Sequence, residues 1–189
     1  MGFWGGNTPK HLYLYETIGD ELGLPYGCLK SIVHMLGDAV VVSDFKPSVD
    51  IDYGDPIPLY PYQEIAVREA KNGLYGILQS PCGSGKTRCG LALIKAYGKR
   101  ALWLTHTADL LHQSKKAAEE FYDKDLLGTI TEGKVNIGKG ITFATVQTMC
   151  KLDLSQYKHV WDVIIVDECQ FLTVEQIDQL RQIVDDYNV

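Results

Sequence analysis

The sequence predicts an α/β domain with a mainly parallel β-sheet, preceded by a small N-terminal α+β appendage. From residue 59 onward, apolar segments of strand length alternate with segments of helical periodicity. Strands buried on both faces are almost continuously apolar, and helices between them are the usual crossover connections of a parallel sheet. The content of hydrophobic residues is 46% and that of charged residues is 22%, which is ordinary for a soluble globular domain.

The appendage is predicted over residues 1–43, and a linker is predicted over residues 44–58. "KHLYLYET" alternates apolar and polar residues like a strand, and "GLPYGCLKSIVHMLGD" has the apolar spacing of a helix. The stretch "SDFKPSVDIDYGDPIPLYP" then places four prolines and a glycine among acidic residues. Proline can neither continue a helix nor donate to a sheet ladder, so this stretch is predicted to be a connector. The main domain is therefore expected over residues 59–189.

The elements of the main domain follow from local periodicity and from the glycines at their ends. The segments with helical spacing are "YQEIAVREAKNG", "TRCGLALIKAYG", "TADLLHQSKKAAEEFYD" and "TVEQIDQLRQIVDDY". Thr107 or Asp109 is expected near the N-cap of the third of these helices. The apolar segments predicted to be strands are "LYGILQS", "RALWLTH", "LLGTITEG", "GITFATVQT" and "WDVIIVDE".

A glycine-rich stretch joins the first predicted strand to the second predicted helix. Residues 80–87, "SPCGSGKT", follow the phosphate-loop pattern G-x-x-x-x-G-K-[ST], except that Ser80 replaces the first glycine. Glycines let backbone N–H groups approach phosphate oxygens, and the N-terminus of the following helix attracts anions. Lys86 is expected to reach the β- and γ-phosphates, and Thr87 is expected to bind Mg²⁺. The residues expected to contact a nucleotide here are Pro81, Cys82, Gly83, Ser84, Gly85, Lys86, Thr87 and Arg88.

Two acidic residues, Asp167 and Glu168, end the apolar segment "WDVIIVDE". Ligands of open α/β sheets collect at the carboxyl ends of the strands, so these acids are expected beside the phosphate loop. Asp167 is expected to hold Mg²⁺ through water, and Glu168 is expected to orient or deprotonate an attacking water. Acids that merely cap a strand at the surface are the alternative. The combination of this acidic pair with the phosphate loop favours a catalytic role instead, with Lys86, Asp167 and Glu168 as the catalytic residues.

These motifs resemble those of the superfamily-2 helicases and translocases, the DEAD/DEAH-like motors. The first motif of that family commonly reads A-P-T-G-S-G-K-T, which "SPCGSGKT" matches except at Ser80 and Cys82. "DECQ" is similar to the second family motif, with Gln170 where many members have His or Asp. The resemblance covers residues 59–172. It implies a RecA-like P-loop NTPase domain that uses ATP and Mg²⁺.

The resemblance also assigns expected roles to other residues. "LYPYQEIAV" resembles the adenine-reading motif, in which Gln63 would bond the base and Tyr60 or Tyr62 would stack nearby. "ALWLTHTADLLHQ" and "ITFATVQTM" resemble the motifs that line the nucleic-acid track. Gln170 would take part in coupling the nucleotide site to a second motor domain. The implied nucleic-acid contacts are Thr105, His106, Gln113, Thr145 and Gln147.

Among these motors the chain looks closest to the DNA-directed branch, which includes phage helicases and restriction-enzyme motors. DNA is therefore expected as the partner ahead of RNA. A second RecA-like domain, elsewhere in the full protein or in a partner chain, would be needed for full activity, and low activity is expected for this chain alone. Residues 1–43 are similar to the small region before the motor in some phage and bacterial helicases. They are equally well interpreted as a packing module.

The remaining composition predicts a cytoplasmic protein. The net charge is −6, which argues only weakly against nucleic-acid binding, because a motor can grip phosphates through backbone amides and a few local cations. The five cysteines include no C-x-x-C pair, which favours a reducing compartment. The N-terminal sequence lacks a secretory signal, and no apolar run is long enough to span a membrane. A non-catalytic nucleotide- or DNA-sensing module remains an alternative, and a P-loop kinase is a weaker one.

Overall fold

The computed structural model describes residues 16–18, 21–23, 34–35, 49–73, 76–157 and 160–184. The chain divides into two compact units. The first comprises Met1–Asp44 with Tyr187–Val189, and the second comprises Phe45–Asp186.

In the first unit, the described residues form a short antiparallel β-hairpin. Strand β1 (Glu16–Ile18) pairs with strand β2 (Glu21–Gly23), and Glu16 lies opposite Gly23. His34 and Met35 are helical, as the apolar spacing of that segment predicts. The remainder of the predicted strand and helix lies outside the described residues.

The second unit is built on a five-stranded sheet with the order β5-β4-β6-β3-β7. Strands β4, β6, β3 and β7 are parallel, and β5 joins the edge antiparallel to β4. The mainly parallel α/β fold predicted from the sequence is confirmed. The strands are β3 (Ala101–Thr105), β4 (Leu127–Thr131), β5 (Lys134–Asn136), β6 (Ile141–Thr145) and β7 (Val163–Val166).

Four of the five helices described in this unit agree with the periodicity of the sequence. The fifth, Val146–Met149, was not predicted, and it occupies the end of "GITFATVQT", which was predicted to be a strand throughout. Gly98, in the left-handed region, ends the second helix, and the backbone N–H of Leu110 donates to the Thr107 hydroxyl that caps the third. The helices are α1 (Pro61–Gly73), α2 (Lys86–Tyr97), α3 (Ala108–Ala118), α4 (Val146–Met149) and α5 (Val174–Val184). Short 3₁₀ turns lie at Lys124–Leu126, Leu154–Tyr157 and Cys169–Phe171.

The core lies on both faces of the sheet, and β3 shows why. Trp103 packs on one face with Phe143 and with residues of α2, whereas Leu102 and Leu104 pack on the other face. All five residues of β3 are buried. A strand covered on both faces needs apolar residues at every position, so the continuous apolar run of β3 follows from its central place.

The predicted strand "LYGILQS" is wrong over the residues that the structure describes. Residues 76–80 belong to no strand, and Ile77 and Leu78 are 82% and 43% exposed. An extended apolar segment becomes a strand only where a neighbour supplies ladder hydrogen bonds. Strand β7 ends the described sheet on its side, and no ladder joins it to residues 76–80. Strand β5 was not predicted. It follows β4 through a turn in which Gly133 has φ 79°.

The described part of the predicted linker, residues 49–58, packs into the second unit. Tyr53 and Ile57 are buried in its core. The Tyr53 hydroxyl donates to Lys99 O at 2.7 Å, and the backbone N–H of Ile51 donates to Gly98 O at 2.8 Å. The buried side chains of Tyr53 and Ile57 therefore hold residues 49–58 against the second unit. Among the described helices, none has the length and apolar character to cross a membrane.

Candidate active site

The glycine-rich loop between residue 80 and α2 has the backbone form of an anion-binding loop. Gly83 and Gly85 have φ values of 76° and 82°, which glycine adopts without strain. Helix α2 begins directly after Gly85, which offers no side chain to cap it. Since the first amides of a helix need acceptors from outside the helix, this N-terminus suits phosphate oxygens.

Ser80 contributes a hydrogen bond where the general pattern has glycine. Its hydroxyl donates to the Ser84 hydroxyl at 2.7 Å, and the backbone N–H of Ser84 donates to Pro81 O at 3.3 Å. The ammonium group of Lys86 lies 3.3 Å from Ser80 O. Hydrogen bonds between its own residues therefore close the loop, and the Lys86 ammonium group lies against the Ser80 carbonyl at its start.

Helix α1 holds the loop from outside through Gln63, which is 2% exposed. The Gln63 amide donates to Ser84 O at 2.8 Å, while its oxygen accepts from the backbone N–H of Tyr60 at 2.9 Å. The Tyr62 hydroxyl donates to the same Ser84 O at 3.1 Å. A side chain at position 85 would clash with the Gln63 amide, so glycine is required there for close approach as well as for its φ.

A small cavity of about 200 Å³ lies beside this contact, lined by Pro58, Leu59, Tyr60 and Arg88. The rings of Tyr60 and Tyr62 are stacked, with centroids 5.8 Å apart and an interplanar angle of 8°. The guanidinium group of Arg88 lies over the Phe121 ring at 5.3 Å. An exposed aromatic face and a planar cation therefore border one opening next to the phosphate loop.

The predicted acidic pair follows β7, and the sheet anchors it. The backbone N–H of Asp167 donates to Leu104 O of β3 at 2.8 Å. Burial and the neighbouring carboxylate of Glu168 raise the pKa of Asp167. The positive charge of Lys86 and hydrogen bonds from the Glu168 backbone and the Ser114 hydroxyl act in the opposite direction. Lys86 and Asp167, far apart in sequence, thus influence each other in one site.

Glu168 has an unusual backbone conformation. Its φ is 56° and its ψ is 46°, and it is the non-glycine residue with positive φ in the described part of the chain. Such a conformation costs of order 1–3 kcal/mol and is found preferentially at functional sites. The Gln170 amide donates to the Glu168 carboxylate. Gln170, which was predicted to couple the site to a second domain, therefore contacts Glu168, the predicted water-activating residue.

Two of the residues predicted to contact nucleic acid, Thr105 and Thr145, end β3 and β6 and pair in register at the carboxyl edge of the sheet. A groove of about 290 Å³ opens there, and its lining includes His112, Glu132, Thr145 and Gln147. Thr145 caps α4 by accepting from the backbone N–H of Thr148 at 3.2 Å. The structure therefore places Thr145 and Gln147 together on this groove.

The other predicted nucleic-acid contacts are distributed differently. Thr105 is fully buried, and its hydroxyl donates to Thr107 O at 3.1 Å, so it shapes the turn rather than facing a ligand. His106 is half-buried beside Gln147, with Nδ1 3.4 Å from the amide nitrogen of Gln147. Gln113 is exposed on α3 and does not line the groove.

Three residues of the site were missed as contributors by the sequence analysis. Ser114, 3% exposed, bonds Asp167, and Ser80 bonds Ser84. Phe171 stacks on His106. Serine and phenylalanine have no motif of their own at these positions. The available signals were the polar Ser114 on the buried face of an amphipathic helix and the apolar Phe171 after two acids.

Fold and site together define a class of protein. A phosphate loop, an acidic pair after a parallel strand and a RecA-like sheet are the parts of a first motor domain of the superfamily-2 helicase type. The sequence model of the type III restriction enzyme, res subunit, family matches residues 56–188. The chain belongs to this family.

Individual relatives agree with this assignment. The putative DNA 3'-5' helicase Rad25 of Halobacterium salinarum is 27% identical over an alignment of 139 residues, and the match covers 67% of this chain and 22% of the relative. The chain thus spans less than a quarter of the curated relative that it matches.

Solved structures share the fold. The UvsW helicase from bacteriophage T4 matches with a TM-score of 0.66 and 17% identity, over 97% of this chain and 74% of that chain. The Sulfolobus solfataricus SWI2/SNF2 ATPase core in complex with dsDNA matches with a TM-score of 0.56 and 20% identity, over 73% and 31%.

Proposed function

We propose that this chain binds and hydrolyses Mg·ATP as the first motor domain of a DNA helicase or translocase. The observation that carries the proposal is the glycine-rich loop, in which Gly83 and Gly85 have positive φ and which leads into the N-terminus of α2 without a side-chain cap, while Asp167 is fixed after β7 by its hydrogen bond to Leu104 O. A lysine at a helix N-terminus and a carboxylate at a strand end are the pair that a nucleoside triphosphate with a divalent cation requires.

The residues of the loop fit a triphosphate. Gly83 has no atom near its Cα that would occupy the space of a side chain, so its backbone can approach phosphate oxygens closely. Lys86 would contact the β- and γ-phosphates, and the other loop contacts are Pro81, Cys82, Gly83, Ser84, Gly85 and Thr87.

The donor set for the cation is an alcohol and a carboxylate. Thr87 lies in the first turn of α2, and Asp167 is held by Leu104 O and Ser114. Oxygen donors of this kind suit Mg²⁺, and water would complete its coordination. Mg²⁺, when bound, supplies charge that neutralises the phosphate oxygens.

Glu168 is the proposed base or orienting group for the attacking water. Its carboxylate is half-buried and is restrained by the Gln170 amide. Adenine is proposed to lie near Gln63, with Tyr60 and Arg88 on the walls of the adjacent cavity, because flat bases stack on aromatic rings and guanidinium planes. Gln63 holds the phosphate loop as well, so base recognition and loop shape are linked through one side chain.

The groove at Thr145 and Gln147, with His106 beside Gln147, is proposed to track a nucleic-acid backbone. DNA is preferred over RNA because the Halobacterium relative is described as a DNA helicase and the Sulfolobus structure contains dsDNA. A second RecA-like domain, in the full protein or a partner chain, is proposed to complete the catalytic cleft. The cytoplasm, where ATP and DNA are both present, is the proposed location.

The direct test is nucleotide binding and ATP hydrolysis by three variants, each measured with and without duplex DNA. Lys86→Ala should weaken Mg·ATP binding at least tenfold, since it removes a charge-assisted phosphate contact worth about 1.5–3 kcal/mol. Glu168→Gln should bind Mg·ATP but lose turnover. Lys116→Ala, an exposed lysine on α3, is the charge-matched control and should behave as wild type.

Each outcome has a defined meaning. Unchanged Mg·ATP affinity in Lys86→Ala would refute the loop assignment. Binding without turnover, even when DNA and a second motor domain are supplied, would replace the catalytic proposal with a nucleotide-sensing role.

A further inference from the structure

Three side chains form a continuous contact across the carboxyl ends of β3, β6 and β7. His106 follows β3, Gln147 lies in the first turn of α4 after β6, and Phe171 ends the 3₁₀ turn after β7. The ring of Phe171 stacks on that of His106, with centroids 5.3 Å apart and an interplanar angle of 29°. His106 Nδ1 lies 3.4 Å from the Gln147 amide nitrogen.

The core does not account for Phe171. Its side chain is 55% exposed and belongs to neither of the two hydrophobic clusters of the described sheet. Phenylalanine left half in water gains little from burial, so its stack on His106 is its principal described contact. Packing alone does not explain an aromatic residue at this turn.

Phe171 is attached directly to the turn that carries Glu168. Its backbone N–H donates to Glu168 O at 3.1 Å. Asp167, at the other end of the turn, is fixed by its hydrogen bond to Leu104 O. Glu168 is thus the strained residue between an anchored position and a stacked ring. A shift of the Phe171 ring changes the turn where the backbone is already in a sparsely populated conformation.

We propose that Phe171 is a positioning residue, which links the nucleic-acid side of the sheet to Glu168 through its stack on His106. This inference rests on the proposed function, because it requires nucleotide at the loop and DNA at the His106–Gln147 side. DNA that engages His106 or Gln147 changes the Phe171 stack, and the turn then changes the position of the Glu168 carboxylate. By linkage, nucleotide at the loop changes DNA affinity by the same factor.

The coupling between DNA and nucleotide can be measured by binding alone, without ATP turnover. The dissociation constant of a fluorescent Mg·ATP analogue is determined for the whole chain with and without a short DNA duplex. In the wild type the two constants should differ by roughly two- to tenfold, the factor that a stacked aromatic pair can transmit. In Phe171→Ala the ratio of the two constants should fall to near one, whatever the affinity without DNA.

Two matched variants separate coupling from general damage. Phe171→Tyr keeps the ring and should restore the ratio. Val174→Ala removes another exposed apolar side chain, 69% exposed and just beyond the turn, and should leave the ratio at the wild-type value.

A spectroscopic measurement reads the contact itself. Stacking shifts the ring-proton resonances of His106, which are assigned by comparison with His106→Ala. Addition of Mg·ATP analogue should move those resonances in wild type and in Phe171→Tyr but not in Phe171→Ala.

Contrary results are distinguishable. The coupling role alone would be overturned if wild type bound both ligands but its nucleotide dissociation constant were the same with and without DNA. It would also be overturned if Phe171→Ala kept the wild-type ratio of the two constants. A wild-type chain that binds no nucleotide would overturn the proposed function, and the coupling role with it.

Discussion

Strand β3 and the phosphate loop lie in the same unit but are held in opposite ways. Every residue of β3 is buried, and it has a parallel neighbour on each side. Pro81, Cys82 and Gly83 of the loop are exposed. The loop is fixed by a few hydrogen bonds that converge on Ser84. The strand is stabilised by many weak contacts and the loop by a few specific ones.

This difference separates stability from function. Loss of a core side chain removes dispersion and transfer energy from the whole unit, because close-packed interiors relax only partly. Loss of a loop hydrogen bond changes the shape of the nucleotide site and leaves the core intact. The sheet therefore acts as a rigid support, and the groups at its carboxyl edge can be changed singly without unfolding it.

The largest loss of stability is expected from truncation of Phe143, which is fully buried and packs near Trp103 with ring centroids 6.1 Å apart. Phe143→Ala should lower the free energy of unfolding by about 3–5 kcal/mol, measured by urea denaturation. Ile77→Ala is the control before the loop. It removes an apolar side chain that is 82% exposed and should change stability by less than about 0.5 kcal/mol. Similar losses in both variants would show that residues 76–80 are packed in solution.

The second prediction concerns the loop and is smaller. Gln63→Ala removes the donor to Ser84 O, so binding of both ATP and inorganic tripolyphosphate should weaken, each by roughly two- to tenfold, as for one partly buried hydrogen bond. If Gln63 also reads adenine, ATP should lose more affinity than tripolyphosphate and more than GTP. Calorimetric titration of the three ligands distinguishes these roles.

The losses of ligand affinity in Gln63→Ala distinguish the two roles. Equal losses for ATP and GTP would remove the adenine role and leave the structural one. Unchanged tripolyphosphate affinity would remove the structural role. Tyr62→Phe, which deletes the other donor to Ser84 O, provides the matched control for loop shape without any change at Gln63.

Much of the fold could be predicted because its signals are local. The apolar run of β3, Thr107 as an N-cap and Gly98 as a helix end each report on residues a few positions away. The position of Asp167 and Glu168 directly after a parallel strand was also predicted, from the apolar run that precedes them. Local periodicity and one topological rule explain this success.

The failures have a different cause, since they depend on partners distant in sequence. "LYGILQS" has the composition of a strand, but composition does not supply a neighbouring strand. Gln63 was assigned to the base alone, because its bond to Ser84 O joins two elements that no periodicity relates. Ser114 and Phe171 take part in the site through single side-chain contacts to Asp167 and His106. Such contacts follow from tertiary packing, which a sequence pattern does not encode.

The smallest expected effect on stability concerns Asp167, whose charge has opposite effects on stability and on the proposed function. Burial and Glu168 raise the pKa of Asp167 in the folded chain above its value in the unfolded chain. The proton on Asp167 is therefore favoured by folding. Its contribution to stability is fully present below the unfolded pKa, about 3.9, and is lost as the pH rises through the folded pKa. At neutral pH the ionised carboxylate thus opposes folding.

Asp167→Asn removes that charge and can still accept the hydrogen bond from Ser114. In the presence of a chelator, its melting temperature at neutral pH should exceed that of wild type, and the difference should shrink as the pH is lowered towards the unfolded pKa. Mg²⁺-dependent nucleotide binding should be lost in the same variant. Asp55→Asn, at an exposed carboxylate, is the control and should show neither change. If Asp167→Asn instead melted below wild type at neutral pH, the attraction of Lys86 and the hydrogen bonds would outweigh burial, and Asp167 would support the fold as well as the proposed cation site.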